Sequence, residues 1–161
     1  MVPSEIRNRI RESLAPPLLD HGFHGRSSTF SREVGDVVHL IQLQPADDNS
    51  PAGARFTVNV AVWVPKLAST PTASVADAHW TVRLGQLDPD NTIQWWQADD
   101  FDMADAAARD MVLRIQADAI PALERLGSTR DLLALWKTGS SPGLTRLQAD
   151  RFRQRLEGRR G

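Results

Sequence analysis

Two histidines in the segment HGFHG, His21 and His24, are the first residues whose types and spacing suggest chemistry. Imidazole nitrogens three positions apart can share a metal ion, but a metal site needs a third ligand, and none is indicated nearby. Gly22, between them, also disfavours a continuous helix that would bring both rings to one side. We therefore expect two surface histidines in a loop.

The other two histidines, His39 and His79, stand in strand-like surroundings. His39 alternates with apolar neighbours, which predicts a histidine at the edge of the core with a hydrogen-bond partner. His79 begins a strand, and no neighbouring residue marks it as a catalytic base. Neither histidine by itself indicates a reaction.

Aspartates are concentrated in residues 88–91 (DPDN) and 99–105 (DDFDMAD). The first stretch begins like a calcium loop but lacks the glycine and glutamate that such a loop requires. In the second, Asp102 is well placed to cap the helix that follows. No G-x-S-x-G elbow, Walker A loop or dinucleotide fingerprint is present, so we expect no cofactor and no metal. A Ser/His/Asp site assembled from distant residues stays open, because triads are defined by geometry.

The composition is typical of one globular domain, with 161 residues, 41% hydrophobic and 24% charged. The formal net charge of −1 provides no overall field that would attract nucleic acid or an anionic membrane. There are no cysteines, which excludes disulfides, thiolate metal sites and a cysteine nucleophile. The sequence shows neither a signal peptide nor a long apolar segment, so we expect a cytoplasmic protein without a membrane partner.

Hydrophobic periodicity predicts an α+β fold, with an antiparallel sheet of about five strands and helices packed on one face. The N-terminal helix, residues 4–20, should begin at the cap Ser4, be kinked or restarted at Pro16 and Pro17, and stop at Gly22. The predicted strands are residues 28–34, 37–44, 55–64, 80–84 and 93–98. The predicted C-terminal helices are residues 102–126, 128–137 and 144–157.

Residues 55–64 alternate most clearly between apolar and polar side chains. The apolar set must face the helices, which leaves the opposite face of the sheet to polar side chains. The same alternation in the neighbouring strands predicts one candidate binding face. Its residues are Gln42, Asn59, Trp63, Arg83 and Trp96.

The adjacent tryptophans Trp95 and Trp96 cannot both enter one core, because successive side chains on a strand point to opposite faces. We predict Trp95 inward beneath the helices and Trp96 outward beside Arg83 and Asn59, although a register shift of one residue would exchange them. Arginine, amides and aromatics together could bind an anion, a planar group or an extended peptide. Two plainer alternatives stay open, in which solvent or the C-terminal helix covers this face.

The C-terminal segment is the one strongly charged part of the chain. Residues 146–161 contain six arginines against Asp150 and Glu157. We predict a single α+β domain over residues 1–138, followed by a linker and an arginine-rich helix over residues 139–161 that docks on it. The alternative is that this helix binds nucleic acid, but the near-neutral total charge of the chain argues against that hypothesis.

Short motifs spread over most of the chain have a distinctive order and spacing. They are GF at 22–23, TFSR at 29–32, IQLQ at 41–44, FTVNVAVWVP at 56–65, RLGQL at 83–87, WW at 95–96 and AIPALE at 119–124. Together they resemble the bacterial family catalogued as domain of unknown function 4304, over roughly residues 5–137. The resemblance implies a cytosolic, single-domain α+β protein without an assigned activity, so no catalytic residues are carried over from it.

The sequence therefore favours a non-enzymatic binding module that uses the open face of its sheet. The ligand would be a protein segment or a small anionic or planar molecule, and an exposed patch of Trp63 and Trp96 would suit a homodimer. A second hypothesis is a hydrolase- or transferase-like enzyme in which Arg83 binds an anion and His39 or an aspartate is the base. It requires a closed pocket with a perturbed carboxylate or histidine beside Arg83. Nucleic-acid binding through the tail ranks third.

Overall fold

The structure is a computed structural model that describes residues 1–90 and 95–158. Within these residues one helix precedes six strands and the remaining α-helices follow, which confirms the predicted α+β class. The strands are β1 (His24–Arg26), β2 (Thr29–Val34), β3 (Val37–Pro45), β4 (Arg55–Trp63), β5 (Trp80–Arg83) and β6 (Trp96–Gln97). The α-helices are α1 (Pro3–Asp20), α2 (Phe101–Arg114), α3 (Ile120–Glu124), α4 (Thr129–Lys137) and α5 (Arg146–Glu157).

Helix α1 buries the apolar stripe that its sequence predicts. Its buried residues are Ile6, Ile10, Leu14 and Leu18. The predicted cap Ser4 is wrong, because Val2 is the N-cap and Pro3 occupies the first turn, where its missing N–H costs no intrahelical bond. The helix passes through Pro16 and Pro17 as one element. The predicted stop is confirmed: Gly22 has a φ of +85°, and the N–H of Phe23 donates to the carbonyl of Leu18.

Strand β4 is the centre of the sheet. Strands β1 to β5 lie side by side in chain order, all antiparallel, and β6 pairs with β4 beyond the end of β5. Along one edge of β4, residues 56–63 pair with β3. Along the other edge, residues 59–62 pair with β5 and residues 55–56 pair with β6. Both edges of β4 are therefore occupied.

Strand β1 is the element that the sequence did not predict. Three residues are too few to show an alternating pattern. The strand depends on Gly25, which lies opposite Phe30, because a Cβ at Gly25 would be only 2.4 Å from the Phe30 ring. Phe30 is buried, so the missing side chain of Gly25 leaves room for an aromatic ring of the core.

The apolar row of β4 faces the helices, as predicted. Its members in the main core are Phe56, Val58, Val60, Val62 and Val64. Helices α1 and α2 pack against each other and contribute to the same core. The sheet therefore has a helical face, on which this row is buried. We call the opposite face the far face. The far face carries the residues of β4 between those of the row.

The C-terminal helices begin at residues that differ in part from those predicted. The carboxylate of Asp100, not Asp102, accepts a hydrogen bond from the N–H of Met103 at 2.8 Å. Asp100 has the extended backbone that turns a side chain back toward the first free N–H groups, whereas Asp102 lies inside the first turn. A π-helical stretch, Ile115–Ala119, joins α2 to α3, and the side chain of Ser128 caps α4.

The linker after α4 lies along the outer edge of β5. The N–H of Thr81 donates to the carbonyl of Pro142 at 3.2 Å. Gly143 has a φ of +81°, and a Cβ there would lie 2.9 Å from Cβ of Thr81. The linker therefore covers part of the outer edge of β5, which would otherwise be an open edge of the sheet.

Helix α5 then packs back on the body through its apolar side. The Phe152 ring lies 4.9 Å from the His79 ring and 6.4 Å from that of Trp136, centroid to centroid. The guanidinium of Arg155 donates to the carbonyls of Leu67 and Lys66 at 3.2 and 3.3 Å. The boundary that we predict between residues 1–138 and 139–161 stays a prediction.

Trp96 lies on the helical face of the sheet, which corrects the predicted orientation. It is opposite Phe56, is only 7% exposed, and donates from Nε1 to the carboxylate of Asp110 on α2 at 2.7 Å. Burial alone would raise the pKa of Asp110, but the hydrogen bonds from Trp96 and Arg114, with the charge of Arg114, lower it. The indole donor could be buried here because α2 supplies a charged acceptor.

Trp96→Phe should destabilise the protein by about 1–3 kcal/mol more than Trp136→Phe, because only Trp96 loses a hydrogen bond to a charged group. The two tryptophans are matched: both are buried, at 7% and 5% exposure, and Nε1 of Trp136 has no partner among the described residues. The measurement is urea unfolding of both variants at pH 7. Equal losses of unfolding free energy would show that the Asp110 contact contributes nothing net.

Candidate binding site on the far face

An irregular segment between β4 and β5, residues 65–79, covers part of the far face. We call this segment the crossing. Beneath it lies a second, smaller apolar cluster of four sheet residues, with Ala78 of the crossing buried against them and further crossing residues packed on top. The four sheet residues are Val38, Leu40, Ala61 and Trp63. Trp63 is consequently only 6% exposed, so the chain itself closes part of the predicted open face.

Beyond the crossing, the far face is built on amide side chains. The register places Gln42 and Arg83 on either side of Asn59, and Gln44 beside Thr57. Asn59 donates from Nδ2 to Oε1 of Gln42 at 3.0 Å and to Oε1 of Gln44. Asn59 is 7% exposed, so these bonds fix the side chain in a largely water-excluded position.

Arg83 is held beside this amide cluster by its neighbours. Its backbone N–H donates to Oε1 of Gln86 at 2.8 Å, which closes the first turn of the short 3-10 helix Leu84–Leu87. Its guanidinium lies over the Trp95 ring at 5.0 Å, and that of Arg55 approaches the same ring at 5.4 Å. The indole face thus stabilises two positive charges on the far side of the sheet.

A pocket of about 290 Å³ lies between Arg83 and the crossing. Asn59 and Arg83 line it from the sheet, with Gln86 beside them, and Gly143 of the linker lines it as well. The remaining lining residues are Val75, Ala76, Ala78, Thr81 and Val82. Among the described lining residues, Arg83 carries the one formal charge, so the pocket favours an anionic group over a cationic one.

Three of the five predicted site residues come together and two do not. Gln42, Asn59 and Arg83 are neighbours on the far face. Trp63 lies on the same face but beneath the crossing, and Trp96 lies on the opposite face. The pair WW did indicate that one tryptophan points away from the core, although it did not indicate which one.

Trp95 is the functional candidate that the predicted orientation missed. It takes the position beside Arg83 that was assigned to Trp96, and it is partly exposed. The predicted strand over residues 93–98 begins outside the described residues, and the observed strand is only Trp96–Gln97. So short a strand has too few residues to set its own register, and its pairing with Phe56 sets it instead.

The two buried histidines are structural, and neither lines the pocket. His39 accepts at Nδ1 from Nε of Arg32 at 3.1 Å, so its Nε2 donates to the carbonyl of Leu126 at 2.8 Å, which confirms the predicted core histidine with a partner. His79 accepts at Nδ1 from the N–H of Val64 at 2.9 Å. Burial lowers the pKa of both rings, that of His79 to about 4.

No group of three or more potential metal ligands occurs among residues 1–90 and 95–158. His21 is partly exposed and His24 is exposed, as predicted, but His24 lies in the edge strand β1 and not in a loop. Over the same residues, no helix has the length and apolar character needed to cross a membrane.

Unfolding free energy should fall as the pH is lowered from about 6.5 toward 4. A histidine whose pKa is lowered by folding binds its proton more readily in the unfolded state, so acid favours unfolding by up to about 1.4 kcal/mol per pH unit for each such residue. His79→Asn keeps an acceptor near the position of Nδ1 and should reduce this slope. Urea unfolding between pH 4 and pH 7 measures it, with the exposed His24→Asn as control.

An unchanged slope in His79→Asn would contradict the assignment of His79 as a neutral, buried ring. In the control His24→Asn, by contrast, we expect an unchanged slope, because that side chain is exposed and has no hydrogen-bond partner among the described residues.

A family model matches most of this fold. The model describes a domain of unknown function, DUF4304, and it matches residues 14–125. The match includes β1 to β6, α1 in part, and the helical path as far as the end of α3. No curated protein and no solved structure matches the chain. Because the model covers more than half of its length, the chain belongs to the DUF4304 family.

Proposed function

We propose that this protein is a non-enzymatic binding module that holds a small anionic or planar ligand in the pocket beside Arg83. The observation that carries the proposal is the charge of the lining. Arg83 contributes a cation, and none of the described lining residues is a carboxylate. An anion entering the pocket would therefore meet a favourable potential from the Arg83 guanidinium.

The surroundings of Arg83 support binding by a largely pre-formed site. Asn59 is fixed by Gln42 and Gln44, and the Arg83 guanidinium lies over Trp95. Groups whose positions are set before the ligand arrives lose less conformational entropy on binding. The volume of about 290 Å³ suits a small molecule more than an extended peptide.

Binding is favoured over catalysis because the described lining of the pocket contains no carboxylate and no histidine. The enzyme hypothesis required a perturbed carboxylate or histidine beside Arg83, and the described lining contains neither. His39 and His79 are buried elsewhere, with their ring nitrogens engaged in hydrogen bonds. A second, catalytic function therefore has no specific observation in its favour.

The expectation of a homodimer loses its original basis. It rested on an exposed patch of Trp63 and Trp96, and these residues are 6% and 7% exposed on opposite faces of the sheet. We propose a bacterial, cytoplasmic protein whose partner is a small molecule. The absence of cysteine from the sequence supports a reducing compartment.

Benzoate, which is planar and anionic, should bind the protein more tightly than the neutral, isosteric benzamide. Arg83→Gln should weaken benzoate by about tenfold, the loss expected for one charge-assisted contact, and should leave benzamide nearly unchanged. Titration followed by 15N NMR measures both affinities and locates the shifts. Arg130→Gln is the matched control, because Arg130 is exposed and has no ion pair among the described residues.

Equal affinities for benzoate and benzamide would contradict an anion site. The same conclusion would follow if Arg83→Gln and Arg130→Gln weakened benzoate equally, because the effect would then come from total charge.

Gly143→Ala should weaken benzoate and also destabilise the protein by about 1–3 kcal/mol. The added Cβ would clash with Thr81 and push the linker away from the pocket. Gly139→Ala is the control: Gly139 has a similar φ of +91°, but nothing lies within 4 Å of a Cβ placed there. If both variants behave alike, backbone strain and not the Thr81 contact determines the result.

A further inference from the structure

A second and larger cavity lies on the far face, at the other end of the crossing. Its volume is about 620 Å³, against about 290 Å³ for the pocket beside Arg83. Strands β1 and β2 form one side and the crossing forms the other. The lining residues are His24, Gly25, Thr29, Ser31, Glu33, Val38, Leu40, Trp63, Pro71, Thr72 and Ala73. A cavity of this size can enclose most of a small organic molecule.

The polar side chains of the cavity come from one face of the edge hairpin. Ser31 lies between His24 on β1 and Leu40 on β3, and Glu33 lies opposite Val38, so all point to the far face. The side chains of His24, Thr29, Ser31 and Glu33 make no hydrogen bond or ion pair within the described part of the chain. Their polar groups therefore remain available to a ligand.

The charge of this cavity is opposite to that of the pocket beside Arg83. Glu33 is the one acidic residue in its described lining, and no lysine or arginine is present there. Its apolar wall is formed by Val38 and Leu40 on the sheet, with Pro71 and Ala73 on the crossing. A carboxylate next to an apolar wall suits an organic cation whose ring packs on the wall.

Trp63 shows that the crossing is an imperfect cover. The residue is 6% exposed, and its Nε1 is buried without a hydrogen-bond partner among the described residues. A buried N–H without an acceptor is unfavourable, whereas water would satisfy it if the crossing moved away. The unpaired indole N–H therefore makes displacement of the crossing easier than it would be over a fully apolar surface.

We propose that this cavity is a second binding site, specific for a small primary amine that carries an apolar ring. The ammonium group binds the Glu33 carboxylate, and Ser31, the neighbouring residue of β2 on the same face, offers its hydroxyl group beside it. The ring packs against Val38, Leu40 and the residues of the crossing. The far face would then hold two sites of opposite charge preference, separated by the crossing.

The test uses benzylamine as the probe and benzyl alcohol as its neutral counterpart, each titrated into the full chain and followed by 15N NMR. Benzylamine should bind saturably, with shifts at the backbone amides of β2 and of residues 71–73, and more tightly than benzyl alcohol. Glu33→Gln should weaken benzylamine by about tenfold and leave benzyl alcohol unchanged. Glu33 is exposed, so this substitution should not disturb folding.

Glu5→Gln is the matched control. It also removes one exposed carboxylate, but Glu5 lies in the first turn of α1 and does not line the cavity. Arg83→Gln should not alter benzylamine binding, which separates this site from the pocket beside Arg83. The proposal is overturned if benzylamine does not bind, if it binds no better than benzyl alcohol, if Glu33→Gln and Glu5→Gln have equal effects, or if the shifts map elsewhere.

Discussion

Strand β4 is buried on both of its faces and paired along both of its edges, and the rest of the structure is arranged to meet this constraint. Its apolar row requires the helical core on one side. On the other side, Ala61 and Trp63 require an apolar cover, which the crossing supplies, while Asn59 requires polar partners, which β3 supplies. The far face is therefore divided by the chemistry of a single strand. One half is apolar and covered, and the other is polar.

The two cavities follow from this division. The crossing is long enough to cover the middle of the far face but leaves a depression at each end, one beside Arg83 and one beside Ser31. The charge of each depression comes from the strand that borders it. Strand β5 supplies Arg83 to one, and strand β2 supplies Glu33 to the other. The opposite ligand preferences that we propose for one sheet face would thus need no additional domain, only two edge regions with different outward-facing residues.

Much of the fold was predictable because it depends on local periodicity. The stripe of α1, the stop at Gly22 and the alternation of β4 are each visible in the sequence, and the structure confirms them. The N-caps Val2 and Asp100, in place of the predicted Ser4 and Asp102, and the strand β1 were not predictable, because each depends on the backbone geometry of one residue or on one contact across strands. The placement of Gln42, Asn59 and Arg83 on one face was predictable because the alternation along β3, β4 and β5 is visible in the sequence, and the register confirms it. Their role in binding stays a proposal.

The sequence by itself determined the α+β class, the central apolar strand and the grouping of Gln42, Asn59 and Arg83, because a period of two fixes which residues share a face once one face is known to be buried. Only the tertiary structure decided which of the adjacent tryptophans entered the core. Trp96 is inside because Asp110 on α2 offers its indole N–H a charged acceptor, and Trp95 is outside because two arginines cover its ring. Both reasons are contacts between residues distant in sequence or on different elements, which no local pattern contains.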